Sequence, residues 1–143
     1  MNASVKTPVH LWIVGILAVL WNSVGAFDYS ATQFRVESYM ANFTPEQLEY
    51  FYGFPAWADA AWALGVWGSF LGSVALLLRK SWAVGLFGIS ILGLAGTTVY
   101  NYVLSDGRAL MGEAALIFTA IIWVIVLFLY FYAQAMAKRR VLQ

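Results

Sequence analysis

Residues 54–102 read FPAWADAAWALGVWGSFLGSVALLLRKSWAVGLFGISILGLAGTTVYNY, two apolar runs separated by the charged pair Arg79 and Lys80. At about 1.5 Å of rise per residue, either run can cross the roughly 30 Å of hydrocarbon in a bilayer. The stretch therefore reads as a helical hairpin in a membrane, turning tightly at the two basic residues. Its first helix carries Ala61, Gly65, Gly68, Ser69, Gly72 and Ser73 on one side, and its second answers with Gly85, Gly88, Gly93 and Gly96. Lipid is as apolar as leucine and gives two helices no hydrophobic reason to associate. Small residues at three- and four-residue spacing supply one, by letting backbones approach closely. The hairpin is expected to be the packing core.

The rest of the chain fits this reading. Of 143 residues, 62% are hydrophobic and 10% charged, far from the quarter or so of charged residues in a soluble domain. Apolar runs at 9–27, 56–78, 82–103 and 109–136 are each long enough to span, so one all-α, four-helix transmembrane bundle is expected over residues 1–143. The first run has the lysine, apolar core and small residues of a secretory signal, and we expect it to be retained as a helix. The last run has few small residues after Ala120, which places it on the periphery facing lipid or a partner.

Residues 28–55 form the one sizeable loop. Within it Thr44, Pro45 and Gln47 are a helix-start signature, so a short helix over 45–52 should lie at the membrane surface and stop at Gly53. Its aromatics Tyr50, Phe51 and Tyr52, with Phe54, suit the headgroup region. Lys6, Arg79, Lys80, Lys138, Arg139 and Arg140 fall at one end and only Arg35 and Arg108 at the other. The positive-inside rule then puts both termini in the cytoplasm. All seven acids, Asp28, Glu37, Glu46, Glu49, Asp59, Asp106 and Glu113, gather toward the outer end, which favours cations there over anions.

The polar residues within the spans collect in the outer third. Asn22 of the first helix and Thr97, Thr98 and Asn101 of the third share a depth, with Asp59 and Glu113 in the opening turns of the second and fourth. An acid at membrane depth needs water or a protein interior. A carboxylate near a helix N-terminus is also favoured by the helix dipole, so Asp59 and Glu113 have a structural reading as well. At about 100° per residue Asp59 points away from the glycine side of its helix. The expected site is a cavity bounded by Asn22, Asp28, Asp59, Thr98, Asn101 and Glu113, walled by Trp21, Trp57 and Trp62.

No catalytic constellation is recognisable. With no cysteine and one histidine, His10, the chain offers neither thiolates nor a histidine pair, so no metal and no cofactor is expected. A net charge of +1 gives no basic face for nucleic acid. Two classes of function remain: a non-enzymatic accessory or scaffolding subunit of a membrane assembly, or a binder or transporter of a small solute or cation at the outer acidic and aromatic cavity. Partners are then the lipid bilayer and either another membrane protein or a second copy.

The segments WNSVGAFDY at 21–29 and FTPEQLEYFYGFPAWADAAWALGVWGSFLGSVALLLRKSWAV at 43–84 resemble a group of small four-helix bacterial inner-membrane proteins often labelled sugar transporters. The likeness spans residues 21–102. It implies a bacterial inner-membrane location and carries no functional residues across; a fainter likeness links the chain to DoxX-like four-helix proteins.

Overall fold

A computed structural model describes residues 5–143 as a bundle of α-helices. The elements are α1 (Val9–Gln33), α2 (Glu37–Met40), α3 (Pro45–Tyr52), α4 (Ala56–Leu77), α5 (Ala83–Val99) and α6 (Gly107–Lys138), with a π-helical turn, Tyr100–Leu104, closing α5. Four of these segments, α1, α4, α5 with its π turn, and α6, are long and apolar enough to cross a membrane. The chain is an integral membrane protein, and its exposed Leu17, Leu20, Leu92, Val124 and Phe131 are the surface that lipid covers.

The short surface helix forms as its sequence predicts. Thr44 N–H donates to Gln47 Oε1 at 3.1 Å and Gln47 N–H donates to Thr44 Oγ1 at 3.2 Å, a complete capping box with Pro45 in the first turn. The first helix departs from expectation. It runs on to Gln33, so Asp28 is helical and the 28–55 loop begins six residues late and holds the extra helix α2. Ala31 and Thr32 are buried, and Thr32 Oγ1 donates to the Asp28 carbonyl at 2.8 Å, which keeps the last turns intact.

Three helices end alike. Arg35, Arg79 and Arg140 each take a positive φ, at 51°, 57° and 60°. The residue after each closes a six-residue loop backward: Val36 N–H to Ala31 O at 2.9 Å, Lys80 to Ala75 at 2.9 Å, Val141 to Met136 at 2.9 Å. Glycine is the usual occupant of this left-handed cap. Two of the arginines gain something glycine cannot supply. Arg35 lies 4.0 Å above the Tyr52 ring, and Arg79 Nη1 donates to Thr7 Oγ1 at 3.1 Å. Gln143 N–H also donates to the Arg79 carbonyl, at 2.9 Å, so the start of α1, the α4–α5 turn and the C-terminal residues meet at one basic end. His10 lies near this end, its Nδ1 2.5 Å from the Tyr132 hydroxyl.

The α4–α5 seam is the closest packing in the molecule. A methyl group at Gly93 would stand 2.4 Å from Gly65 N and 2.5 Å from Ala61 O; one at Gly68 would stand 3.0 Å from Leu86 O. Ser90 Oγ crosses the seam to donate to the Gly65 carbonyl at 2.6 Å, and Gly72 makes room for the fully buried Phe87 ring.

The single small-residue stripe expected on this hairpin is in fact two. Gly65, Gly68 and Gly72 meet α5, whereas Ser69 and Ser73 turn to α1, making α4 the central helix. Gly85 and Gly88 are not seam residues: a methyl at Gly85 would meet nothing within 4 Å, and one at Gly88 would make an ordinary 3.7 Å contact with Tyr130. The reason is angular. Gly88 is five residues before Gly93, about 140° around the helix.

Helix α6 keeps one exposed face along its length, and its opposite face joins the core only in the second half. Ile117, Val124, Phe128 and Phe131 are exposed, but Leu129, Ala133 and Met136 join Leu11, Ala75, Leu76 and Phe87 in the buried core. Near its start the helix breaks at Gly112, with φ 84° and ψ −176°, backbone angles that only glycine adopts readily.

Candidate functional site

All four spans meet in one buried core only at the basic end; toward the other end α4 and α5 stay in contact, and the bundle holds a cavity of about 460 Å³. Its floor is polar. Asn22 Nδ2 donates to Ser73 Oγ at 2.8 Å, and Ser69 Oγ donates to Asn22 Oδ1 at 2.9 Å, which ties α1 to α4 through a buried asparagine. Asn22→Ala removes both bonds, and the expected loss is about 1–2 kcal/mol, read as a lower melting temperature in mild detergent.

The walls are mostly apolar: Trp21 and Val24 from α1, Trp62 and Val66 from α4, Leu94 from α5, and Phe118, Ile122 and Val126 from α6. The hydroxyls among them are occupied. Thr97 and Thr98 donate to the Gly93 and Leu94 carbonyls at 2.7 Å, Thr98 also accepts from Trp123 Nε1 at 3.0 Å, and the Tyr102 hydroxyl lies 3.1 Å from Thr119 Oγ1.

The roof is a network of rings. Tyr39 meets Phe43, Phe43 meets Phe51, and Tyr50 meets both Phe51 and Phe54, with centroids 5.2–6.0 Å apart and ring planes inclined by 63–85°. Two polar ties hold it down. Gln47 Nε2 reaches the Leu110 carbonyl at 3.1 Å, one of the acceptors released by the Gly112 break. Tyr50 donates to Asn101 Oδ1 at 2.5 Å and lies 2.8 Å from Ser105 Oγ, against the π turn. Burial raises the Tyr50 phenol above its ordinary range.

Among the described residues Asp28 is the one carboxylate lining the cavity, and no Lys, Arg or His lines it. Tyr39 donates to its Oδ1, and the second oxygen takes no bond from the described residues. Burial, and next the hydrogen bond to Asp28, push the Tyr39 phenol well above its ordinary range. The folded state thus holds this proton more tightly than the unfolded chain does. The stability it contributes is fully present at neutral pH and is lost only as pH climbs beyond the ordinary phenol range.

Of the residues expected at the site, Trp21, Asn22, Asp28, Trp62, Thr98 and Asn101 line this cavity, and Asp59, Trp57 and Glu113 do not. Asp59 faces the end of α1, where Gln33 Nε2 donates to its Oδ1 at 3.1 Å. Trp57 is 48% exposed and lies edge-on to Tyr100 at 5.6 Å. Glu113 pairs with Arg108 at 3.1 Å, both side chains largely in solvent, a pair worth about 0–1 kcal/mol. Sequence reasoning missed the roof. Tyr50, Phe51 and Phe54 suit a headgroup belt by composition, yet they cover the cavity, and Tyr39 carried no signal of its tie to Asp28.

A carboxylate in a largely apolar chamber, with no cation from the described residues to neutralise it, is matched by a positive charge. At about 4 Å and an effective dielectric of about 20 the attraction is roughly 4 kcal/mol before desolvation, and the aromatic residues Trp21, Trp62 and Tyr39 line the same cavity. No protein-family model, curated protein or solved structure matches this chain.

Proposed function

We propose that this integral membrane protein binds, without converting it, a small amphipathic molecule whose cationic head pairs with Asp28 and whose apolar body lies against Trp21, Val66, Leu94 and Ile122. The observation that carries the reading is Asp28, a carboxylate with one oxygen free, lining a largely apolar and aromatic chamber that contributes no basic residue. Such a chamber, apolar with a few convergent polar groups, is the usual form of a ligand site. The positive-inside asymmetry supports an orientation with the basic end in the cytoplasm and the chamber at the outer face. The resemblance noted for residues 21–102 supports a bacterial inner membrane. If the bound molecule is also carried across, a second copy of the chain would supply the repeated half that alternating access uses.

An accessory role has one feature in its favour, the exposed row Ile117, Ile121, Val124, Phe128 and Phe131 on α6, on which a partner helix could lie. Lipid accounts for that row equally well, so the chamber carries the conclusion.

The test is a comparison of head groups. Purified protein in zwitterionic nanodiscs is melted with dodecylamine or with dodecanoic acid, which share a tail and differ in charge. The amine should raise the melting temperature in a saturable manner and the acid should not. Equal shifts with both would leave a hydrophobic cavity with no role for Asp28.

A further inference from the structure

We infer that the chamber is loaded sideways from the lipid, through a gap between α1 and α6, so that its ligand belongs to the class of single-chain, membrane-partitioned amines rather than water-borne cations. This rests on the binding role proposed for the chamber and adds the route and the phase from which the ligand comes.

The gap is visible in the walls. Val24 and Phe118 line the chamber and yet are 63% and 49% exposed, so at this level the cavity wall is also the protein's outer surface. Gly25 lines the chamber beside Val24, and a methyl group placed on it would touch nothing within 4 Å. On α6 the lining residue Ala115, also small, is three residues from Phe118 toward the loop end, as Gly25 is four from Trp21. The backbones of α1 and α6 stay apart here, in contrast to the α4–α5 and α1–α4 pairs, and what bridges them is the tilted contact of Trp21 with Phe118, centroids 5.6 Å apart.

Depth decides what fills the gap. Val24 lies nine residues inside the end of α1 at Gln33, and Phe118 eleven inside the start of α6 at Gly107. At about 1.5 Å per residue Val24 is roughly 14 Å from the end of α1, and Phe118, past the Gly112 break, is held near that level by its contact with Trp21, so both lie within hydrocarbon. The loop end is closed differently, by the linked rings of Tyr39, Phe43, Phe51, Tyr50 and Phe54 and the two polar ties of α3. A molecule coming from water has to part that network, whereas one in the leaflet has only to displace a lipid tail. An amphipath lying with its head toward the loop end presents the amine at the level of Asp28 and its chain at the level of Val24 and Phe118.

The experiment separates route from site. Gly25→Phe fills the gap from α1, where an added side chain meets open space, and Ala115→Phe fills it from α6. Association and dissociation of dodecylamine are followed by stopped-flow tryptophan fluorescence in nanodiscs, with tetramethylammonium as the water-borne probe. Both plugs should slow dodecylamine association and dissociation in the same direction, each by about tenfold, because a narrowed path slows entry and exit alike whereas a lost contact in the chamber speeds exit. Tetramethylammonium should bind poorly to every form. Unchanged rates in both correctly folded plugs, with saturable wild-type binding, would overturn the lateral route while leaving the site intact. Faster dodecylamine exchange in Gln47→Ala, with the plugs silent, would assign access to the roof and overturn it as well. Absence of saturable binding to the wild-type protein would remove the site itself.

Discussion

Gly93→Leu should prevent the bundle from assembling, and even Gly93→Ala should cost about 3 kcal/mol or more, at the upper end of overpacking penalties. The reason is what a side chain would strike. A Cβ there falls 2.4 Å from Gly65 N and 2.5 Å from Ala61 O, main-chain atoms that cannot rotate away, so α4 and α5 would have to separate. Separation also breaks the Ser90 bond to the Gly65 carbonyl. For a domain stabilised by about 5–15 kcal/mol, that is a large fraction of the total. Gly85→Ala is the matched control. Its Cβ meets nothing, and alanine favours the helix, so stability should change by less than about 1 kcal/mol, in the stabilising direction. Thermal melting of both variants in mild detergent checks the pair. Similar losses at the two positions would mean that the α4–α5 seam does not hold the bundle together.

Asp28→Asn should weaken dodecylamine binding by roughly 10- to 100-fold, the scale expected for removing one charge from a partly desolvated pair. Shape and the tie to Tyr39 are retained, since an amide oxygen accepts the same hydroxyl, so folding should be little affected. Asp59→Asn should leave affinity within about twofold, because that carboxylate is engaged by Gln33 at the end of α1 and does not line the chamber. Isothermal titration in nanodiscs distinguishes them. An Asp59 effect as large as that of Asp28 would mean that the ligand sits nearer the membrane surface than proposed.

Much of the architecture was legible because it depends on local chemistry. Span length, the Arg79–Lys80 turn and the Thr44–Gln47 capping box are each decided by a few adjacent residues, and each stands as expected. What was not legible depends on contacts distant in sequence. Asp28 reads as the start of a loop until Tyr39, eleven residues on, is seen to donate to it. Small residues on α4 read as one stripe because spacing alone does not reveal that Asn22 draws Ser69 and Ser73 toward α1.

For the candidate site, depth and charge led to different places. Asn22, Thr98 and Asn101 came from shared depth and line one cavity. Asp59 and Glu113 came from charge near helix starts, where Gln33 and Arg108 engage them instead. The aromatic run at 50–54 suits a headgroup belt and a cavity roof equally in composition, and only the position of α3 over the chamber separates the two.

The most direct test of a cation-binding chamber uses a dodecylamine brominated at the tail as a quencher. The protein keeps Trp21 and Trp62, which line the chamber, with its other tryptophans replaced by phenylalanine. Quenching should saturate with added probe in this background, be reversed by unbrominated dodecylamine, and disappear from the same range when Asp28→Asn is added. Quenching that rises linearly with the amount of probe in the membrane and ignores both the competitor and Asp28 would contradict it.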